Sequence, residues 1–154
     1  MVRYAKREDL PRVNELRKQV NDLHVMGRPD IFKSGFEQEM QDFLYTVFES
    51  DNMDVIVVER KGVICGFACV QYVHKPESPY SFARHFYDVD EFCVDKAYRW
   101  QGVATELIDF ICQEAKSKGF DRVELNMWEF NDGARAFYEA VGFNTYRRYM
   151  EMEI

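Results

Sequence analysis

The sequence lacks any excess of positive charge. Its 20 Lys and Arg residues are outnumbered by 27 Asp and Glu residues, which gives a formal net charge of -7. Proteins that bind nucleic acids usually present a basic face to the phosphate backbone, so we expect no nucleic-acid partner. The net charge does not exclude an anionic ligand, because one local patch of donor groups is enough to bind it.

Long hydrophobic runs are also missing. No apolar stretch approaches the roughly 20 residues that cross a bilayer, and the first residues, MVRYAKREDL, look like neither a signal peptide nor a transit peptide. We therefore expect a cytoplasmic protein with no membrane partner. The cysteines form no C-x-x-C pair or metal spacing with histidine, so we expect buried reduced thiols and no metal. They are Cys65, Cys69, Cys93 and Cys112.

The hydrophobic pattern alternates between helical and strand periods. The chain has 154 residues, of which 47% are apolar, enough for a single domain with one core. The order of elements reads β-α-α-β-β-β-α-β-α-β, and the final segment, 143–154, contributes one or two strands. This order predicts an α/β (α+β) fold, with about four helices around a mixed, largely antiparallel sheet of six to seven strands.

Two sets of predicted boundaries are specific. A strand over Tyr87–Val94, a helix over Val103–Lys118 and a strand over Val123–Trp128 form one parallel, right-handed crossover. In the N-terminal third, Ser34 and Glu37 have the spacing of a capping box, which predicts a helix that continues to about position 49.

The segment VDKAYRWQGVATEL, residues 94–107, joins the crossover strand to its helix. A helix start leaves backbone N–H groups without partners and carries the positive end of the dipole, so it binds anions. Gly102 permits close approach of the backbone and a positive φ, Ala104 keeps the next turn small, and Arg99 adds a guanidinium suited to phosphate. The pattern is neither a P-loop nor a dinucleotide fingerprint. It indicates a diphosphate site, or else a plain connection in which the glycine only caps the helix.

Two motifs, RWQGVA and NDGARAFYEAVGF, lie in order along the second half of the chain. The first is similar to the pyrophosphate loop, R/Q-x-x-G-x-G/A, of the GCN5-related N-acetyltransferase (GNAT) superfamily, and the second resembles its signature N-x-x-A-x-x-F-Y-x-x-x-G-F. The residues that fit this signature are Asn131, Ala134, Phe137, Tyr138, Gly142 and Phe143. The resemblance covers about Asp54 to the C-terminus, and the N-terminal third matches only in its two-helix layout. It implies one GNAT domain over residues 1–154, with variable acceptor-side helices in 1–53 and an acetyl-CoA-binding core in 54–154.

This resemblance implies transfer of an acetyl group from acetyl-CoA to an amine by direct attack, without a covalent enzyme intermediate. The CoA diphosphate would be held by Arg99 and by the loop amides of Gln101, Gly102, Val103 and Ala104. The pantetheine arm would pair like an added strand with backbone groups of Phe92, Cys93 and Val94. Asn131 resembles a residue that contacts the CoA arm, although its position also suits a simple helix cap.

Two side chains have the acid and base chemistry that this reaction needs. Tyr138 stays protonated at neutral pH and can donate a hydrogen bond or proton to the departing thiolate; the alternative is a core tyrosine beside Phe137. Glu91 resembles a general base of some members, and the alternative is an exposed strand carboxylate. If the strand alternates, Glu91 and Cys93 share a face and Asp90 points to the other. An acyl intermediate on Cys93 would need a neighbouring base, and the sequence shows none.

The acceptor is the least specified part of the predicted site. A set of acidic residues favours a cationic acceptor, such as a polyamine, an aminoglycoside or a peptide amine, unless these are ordinary solvated charges. They are Asp30, Glu37, Glu39, Asp42, Asp88, Asp90 and Glu91. Arg28 equally suits a substrate carboxylate, and His24 and His74, in predicted loops, are further candidates.

Two other functions fit the same residues. The fold also suits a catalytically silent acyl-CoA-binding regulatory module, and a phosphate-like loop can occur by chance in a structural or interaction protein. Our first expectation is an acetyl-CoA-dependent N-acetyltransferase that acts on a small-molecule or peptide amine. Family habit also suggests a homodimer, because the C-terminal strands often meet a partner.

Overall fold

The alternating segments of the sequence form one five-stranded sheet. The computed structural model describes residues 1–154. Its strands are β1 (Val2–Tyr4), β2 (Met53–Arg60), β3 (Val63–Lys75), β4 (Arg84–Val94) and β5 (Val123–Leu125). They lie in the order β1-β2-β3-β4-β5, with antiparallel pairing up to β4 and parallel pairing of β4 with β5. The mixed, largely antiparallel sheet and the parallel crossover are thus confirmed.

Four α-helices accompany this sheet, as predicted. They are α1 (Leu10–Gly27), α2 (Gln38–Phe48), α3 (Val103–Ser117) and α4 (Asp132–Ala140). None of them combines the length and apolarity needed to cross a membrane. Alternation along β2 produces the two layers: Ile56 and Val58 are buried with the apolar stripe of α3, whereas Val55 and Val57 are buried with those of α1 and α2.

The second helix begins later than the sequence predicts. The capping box of Ser34 and Glu37 does not form; Glu37 is itself the N-cap, with an extended backbone, and α2 starts at Gln38. Gly35 lies between the two predicted cap residues with a φ of 83°. This left-handed conformation cannot belong to the first turn of a right-handed helix, so the helix is delayed until after it.

The prediction of six to seven strands is wrong, because the C-terminal segment 143–154 forms no strand. Its large apolar side chains are exposed instead of lining a buried face. They are Tyr146, Tyr149, Met150, Met152 and Ile154. A strand is stabilised by cross-strand pairs and by burial of one face, and the three residues of β5 offer little edge for such pairing.

β5 is also shorter than predicted, and the cause lies in β4. The register between β3 and β4 shifts by one residue, which leaves Asp90 as the extra residue of a β-bulge. A bulge bends its strand, so β4 departs from β5 at this point. The parallel pairing therefore ends at Val89 opposite Leu125, and the predicted continuation of β5 to Trp128 has no partner.

A buried ion pair joins β4 to both N-terminal helices. Arg17, on the inner face of α1, donates from Nε and Nη2 to the two carboxylate oxygens of Glu91 at 2.8 and 2.9 Å. Its Nη1 donates to the Asn14 side chain at 3.0 Å and to the carbonyl of Met40 in α2 at 2.6 Å. The arginine side chain is 9% exposed and the glutamate side chain 23%, so solvent screens the pair little. The pair therefore fixes Glu91 relative to α1 and α2.

Arg17→Met should destabilise the fold, because it leaves the partly buried Glu91 carboxylate without its cation. We expect a loss of about 2 kcal/mol in the free energy of unfolding, measured by urea denaturation. The double variant Arg17→Met, Glu91→Leu removes both charges and should recover most of that loss. The control is Lys18→Met, on the solvent side of α1. If Arg17→Met and Lys18→Met had equal free energies of unfolding, the role of the pair would be contradicted.

Candidate active site

β4 has a free edge where β5 departs from it. Beyond the last pair, Val89 with Leu125, β4 continues to Val94 with strand pairing only on its β3 side. The backbone groups of Phe92, Cys93 and Val94 that point away from β3 therefore have no strand partner. An extended ligand can add to such an edge as a further strand, which is the role that the sequence predicts for these residues.

The loop after β4 is anchored by a buried carboxylate. Asp95 is 6% exposed; it accepts a hydrogen bond from the Ala97 backbone N–H at 3.0 Å and forms an ion pair with Arg12 of α1. Burial alone would raise the pKa of Asp95. The hydrogen bonds from Ala97, Gln19 and Arg12 outweigh this effect and hold the pKa below its ordinary value. The loop therefore starts from a fixed position against α1.

The tip of this loop leaves backbone N–H groups without hydrogen-bond partners in the protein. Trp100 has a φ of 65° and Gly102 a φ of 80°, and Gly102 is the N-cap of α3 with no side-chain cap on the first turn. A Cβ placed on Gly102 would meet no atom within 4 Å, so no protein group blocks the helix end. The N–H groups of the first turn are left for a ligand, and the arrangement fits a diphosphate.

The other predicted loop residues surround this helix end. Arg99 and Gln101 are exposed, and their side chains donate to backbone carbonyls at the base of the loop at 3.4 and 3.3 Å. Val103 is 2% exposed and packs in the core, so only its backbone N–H can face a ligand. Ala104 follows in the same turn. A guanidinium and several N–H groups thus meet at the positive end of the α3 dipole.

Tyr138 lies on α4 beside the free edge of β4. Its ring centroid is 5.9 Å from that of Phe92, and 5.4 and 5.6 Å from those of Phe137 and Phe143. Burial raises the pKa of Tyr138, the nearby Cys93 adds to this shift, and no hydrogen bond involves the hydroxyl. The hydroxyl is therefore protonated and free to donate at neutral pH.

Asn131 caps α4. Its side-chain oxygen accepts a hydrogen bond from the Ala134 backbone N–H at 3.2 Å, which is the simple cap that the sequence left as one alternative. The cap uses only the carbonyl oxygen. The side-chain NH2 group is still available to a ligand, so the two roles are compatible.

The bulge sets which side chains of β4 share a face. Glu91 and Cys93 point toward α1, whereas Phe92 packs against the core on the α3 side. The structure thus places Glu91 and Cys93 on one face, with Asp90 as the exposed, bulged residue between strand registers. Burial raises the pKa of the Cys93 thiol to about 12. A thiol in this state is a poor nucleophile at neutral pH.

Two aspartates beside the bulge have raised pKa values. Burial, helped by the charges of Asp90 and Glu124, raises the pKa of Asp88 to about 6. Although the Asp90 side chain reaches solvent, partial desolvation by the surrounding protein and the charge of Glu91 raise its pKa. Such carboxylates accept protons more readily near neutral pH than ordinary ones. Because Arg17 binds both oxygens of Glu91, the bulge offers further proton acceptors beside the predicted one.

The candidate acceptor residues lie differently from the sequence expectation. His24 belongs to α1 and His74 to β3, so neither is in a loop. The Nδ1 atom of His74 lies 2.6 Å from that of the opposite histidine in β4, at the far end of the strand from the loop. Arg28 is paired with Asp30 at 2.8 Å and Glu151 at 2.6 Å, so it is not a free group for a substrate carboxylate. No three His, Cys, Asp or Glu side chains are arranged to hold a metal ion.

Sequence reasoning missed two groups near the N-terminal helices. Arg17 lies within the apolar stripe of α1, and a cation on a buried helix face needs a partner; that position was the signal. Phe130 contacts His24 near the end of α1, and Trp128 contacts Phe32 in the connection that follows α1; nothing in the local sequence indicates these contacts. The remaining acidic candidates of the N-terminal third are exposed: they are Glu37, Glu39 and Asp42.

Comparison of the sequence with known families gives one match over nearly the whole chain. The profile of the Acetyltransferase (GNAT) family matches residues 3–143. Among characterised proteins, N-alpha-acetyltransferase 30 from Schizosaccharomyces pombe (strain 972 / ATCC 24843) is 26% identical over 106 residues. That alignment covers 69% of this chain and 67% of the yeast protein.

Comparison with solved structures finds the same architecture. A mutant of the BH1408 protein from Bacillus halodurans is 27% identical with a TM-score of 0.95, over 100% of this chain and 99% of that one. Aminoglycoside N-acetyltransferase AAC(6')-Iy in complex with CoA has a TM-score of 0.79 over 100% of this chain and 93% of that one. At 18% identity, this second likeness shows the fold alone.

Gly102→Val should weaken CoA binding by at least about 10-fold in calorimetry, because its side chain would fill the space before the first-turn N–H groups. A β-branched residue is also strained at a φ of 80°. Gly119→Val is the matched control, since Gly119 has a φ of 83° at the other end of α3. If both variants bind CoA equally well, the loop is not the diphosphate site.

Proposed function

We propose that this chain, which belongs to the acetyltransferase (GNAT) family, moves an acetyl group from acetyl-CoA to a primary amine by direct attack in a ternary complex. The observation that carries the proposal is the order of three groups along the free edge of β4. The helix end follows Val94, the Tyr138 hydroxyl belongs to a ring beside Phe92, and the Glu91 carboxylate lies at the bulge. In this order, the helix end binds the donor, the Tyr138 hydroxyl stabilises the leaving group and the Glu91 carboxylate deprotonates the amine.

The loop and the strand edge hold the donor in this proposal. Arg99 and the N–H groups of Gln101, Gly102, Val103 and Ala104 bind the diphosphate. The backbone groups of Phe92, Cys93 and Val94 that lack a strand partner pair with the pantetheine arm, which the Asn131 amide also contacts. Bound in this way, acetyl-CoA supplies the acetyl group and a thiolate that leaves.

Glu91 activates the amine. An alkylamine with a pKa near 10.4 is mostly protonated at neutral pH, so a carboxylate has to take the proton directly or through a water molecule. Arg17 binds both oxygens of Glu91, but each carboxylate oxygen has a second acceptor position. Asp90, adjacent to Glu91 and exposed, attracts the incoming ammonium.

Tyr138 acts on the leaving group. As the amine nitrogen forms its bond to the acetyl carbon, the carbon–sulfur bond breaks and negative charge develops on sulfur. The Tyr138 hydroxyl donates a hydrogen bond to this sulfur, which then takes up a proton as the free thiol. Direct attack is favoured because the Cys93 thiol, with its raised pKa, supplies no thiolate to carry the acetyl group.

The acceptor is a small-molecule amine or a peptide amine. One relative is named as an N-alpha-acetyltransferase and one structural neighbour as an aminoglycoside N-acetyltransferase. A silent acyl-CoA-binding regulatory module would use the same loop and strand edge, but it would have no need of the Tyr138 hydroxyl or of the carboxylates at the bulge.

The direct test measures CoA binding by calorimetry and thiol release from acetyl-CoA with a panel of primary amines. We expect micromolar binding of CoA and thiol release that requires an amine, with reactions lacking the amine as the control. Binding without turnover on any amine would favour the silent module. Absence of CoA binding would reject both.

Tyr138→Phe should lower kcat by roughly 100-fold and leave the Kd for CoA within about two-fold, because only the donor to the leaving sulfur is lost. The raised pKa of Tyr138 keeps the hydroxyl protonated, so the deficit should be constant from about pH 6 to about pH 10. Tyr80→Phe, at a residue that is 99% exposed, is the control. An undiminished rate in Tyr138→Phe would remove its role in the chemistry.

A further inference from the structure

Four aromatic rings from three segments meet at the C-terminal end of α1. His24 belongs to α1 and Phe32 to the α1–α2 connection, and Trp128 and Phe130 belong to the segment after β5. The His24 centroid lies 4.8 Å from that of Phe32 and 6.2 Å from that of Phe130. The Trp128 centroid lies 5.0 and 6.1 Å from the same two rings. These are contact distances for aromatic pairs, and we refer to the four residues as the aromatic cluster.

The end of α1 is shaped to receive these rings. A Cβ on Gly27 would lie 2.4 Å from the Phe130 ring, so only glycine lets this ring reach the helix backbone. The Arg28 guanidinium lies 5.9 Å from the Trp128 centroid, and its ion pairs tie it to the α1–α2 connection and the C-terminal segment. The cluster is therefore a fixed part of the fold that spans its N-terminal and C-terminal halves.

The aromatic cluster lies on the acceptor side of the site. His24 follows Arg17 by about two turns on α1, so both face inward, and Arg17 binds Glu91. The pKa of His24 is lowered by burial, and the charge of Glu91 opposes that shift, which places the two groups within electrostatic reach. All four rings are only partly buried, so ring surface is left for a ligand.

Exposed apolar side chains flank the aromatic cluster, and the charged side chains near it are mostly paired with one another. Met26 is 83% exposed and Ile31 is 47% exposed, and both flank the cluster in the chain. Arg28 pairs with two nearby carboxylates, Arg135 pairs with Glu129, and Arg17 pairs with Glu91. A polycation would find few free carboxylates at this surface, whereas an apolar group would find ring faces. The exposed Asp90 is enough for a single ammonium.

We propose that the aromatic cluster is the acceptor subsite and that it selects a primary amine bearing an aromatic or long aliphatic group over polycationic or polyhydroxylated amines. This inference rests on the proposed function, because the cluster is an acceptor subsite only if an amine receives the acetyl group. The apolar group is buried against the rings, and the amino group extends toward Glu91 and the free edge of β4.

Matched amines test the selectivity. Initial rates of thiol release are compared for 2-phenylethylamine against ethanolamine, and for hexylamine against 6-amino-1-hexanol, with spermidine as the polycation. We expect kcat/KM for each apolar amine to exceed that of its hydroxylated counterpart and of spermidine by at least about 10-fold. Equal or higher values for the hydroxylated amines or spermidine would overturn the inference.

Variants separate recognition from a structural role. Phe32→Ala and Trp128→Ala should raise KM for 2-phenylethylamine about 10-fold, change KM for ethanolamine less than two-fold, and leave CoA affinity unchanged. Phe32→Leu keeps an apolar surface and should retain most of the activity on hexylamine. Phe82→Ala, at a residue 87% exposed in the β3–β4 connection, is the control. An equal rise in KM for 2-phenylethylamine and ethanolamine would mean that the cluster only supports the fold.

Direct binding distinguishes failure of this inference from failure of the proposed function. Calorimetry measures the affinity of 2-phenylethylamine for the CoA-bound protein and for its Phe32→Ala variant. Binding that Phe32→Ala abolishes, without turnover, would show that the cluster binds an apolar amine, but it would reject the transferase and with it the acceptor role of the cluster. Turnover with no preference for apolar amines rejects the subsite and leaves the transferase intact. If the protein shows no amine binding and no turnover, both the subsite and the transferase are rejected.

Discussion

The ion pair between Arg17 and Glu91 is the contact on which the candidate site depends. It is the point where α1, α2 and β4 are held together by hydrogen bonds from one guanidinium. Because both charges are largely withdrawn from solvent, neither helix can shift without exposing an uncompensated charge in the interior. The pair therefore sets the distance between the helical wall that would meet the acceptor and the strand that would meet the donor.

One extra residue in β4 accounts for the free edge on which the proposed site depends. The bulge at Asp90 changes the register with β3, turns Glu91 and Cys93 toward α1, and ends the pairing with β5. Without it, β5 would cover the backbone groups of Phe92 and Val94, and no extended ligand could add to this edge. A small irregularity in one ladder thus separates a closed sheet from a sheet with a binding edge.

The features that depend on residues close together in the sequence were predictable from the sequence. The loop and its helix end are one continuous segment, so Gly102 and the uncapped first turn could be recognised locally. The bulge could not, because alternation shows no sign of a one-residue slip. Arg17 and Glu91 are separated by 74 positions, and only the folded chain brings them together. The C-terminal strands were overpredicted because their pattern suits a strand, while pairing requires an edge that β5 does not provide.

The loop tip and the aromatic cluster each contain one of the chain's two tryptophans. Trp100 is fully exposed beside the uncapped helix end, and Trp128 is partly buried against Phe32 and Phe130. An indole in water emits at longer wavelength than one enclosed by aromatic rings. We therefore expect the intrinsic fluorescence of the protein to have two spectrally distinct components, one at each end of the proposed site, so that a ligand at either end would be detected without a label.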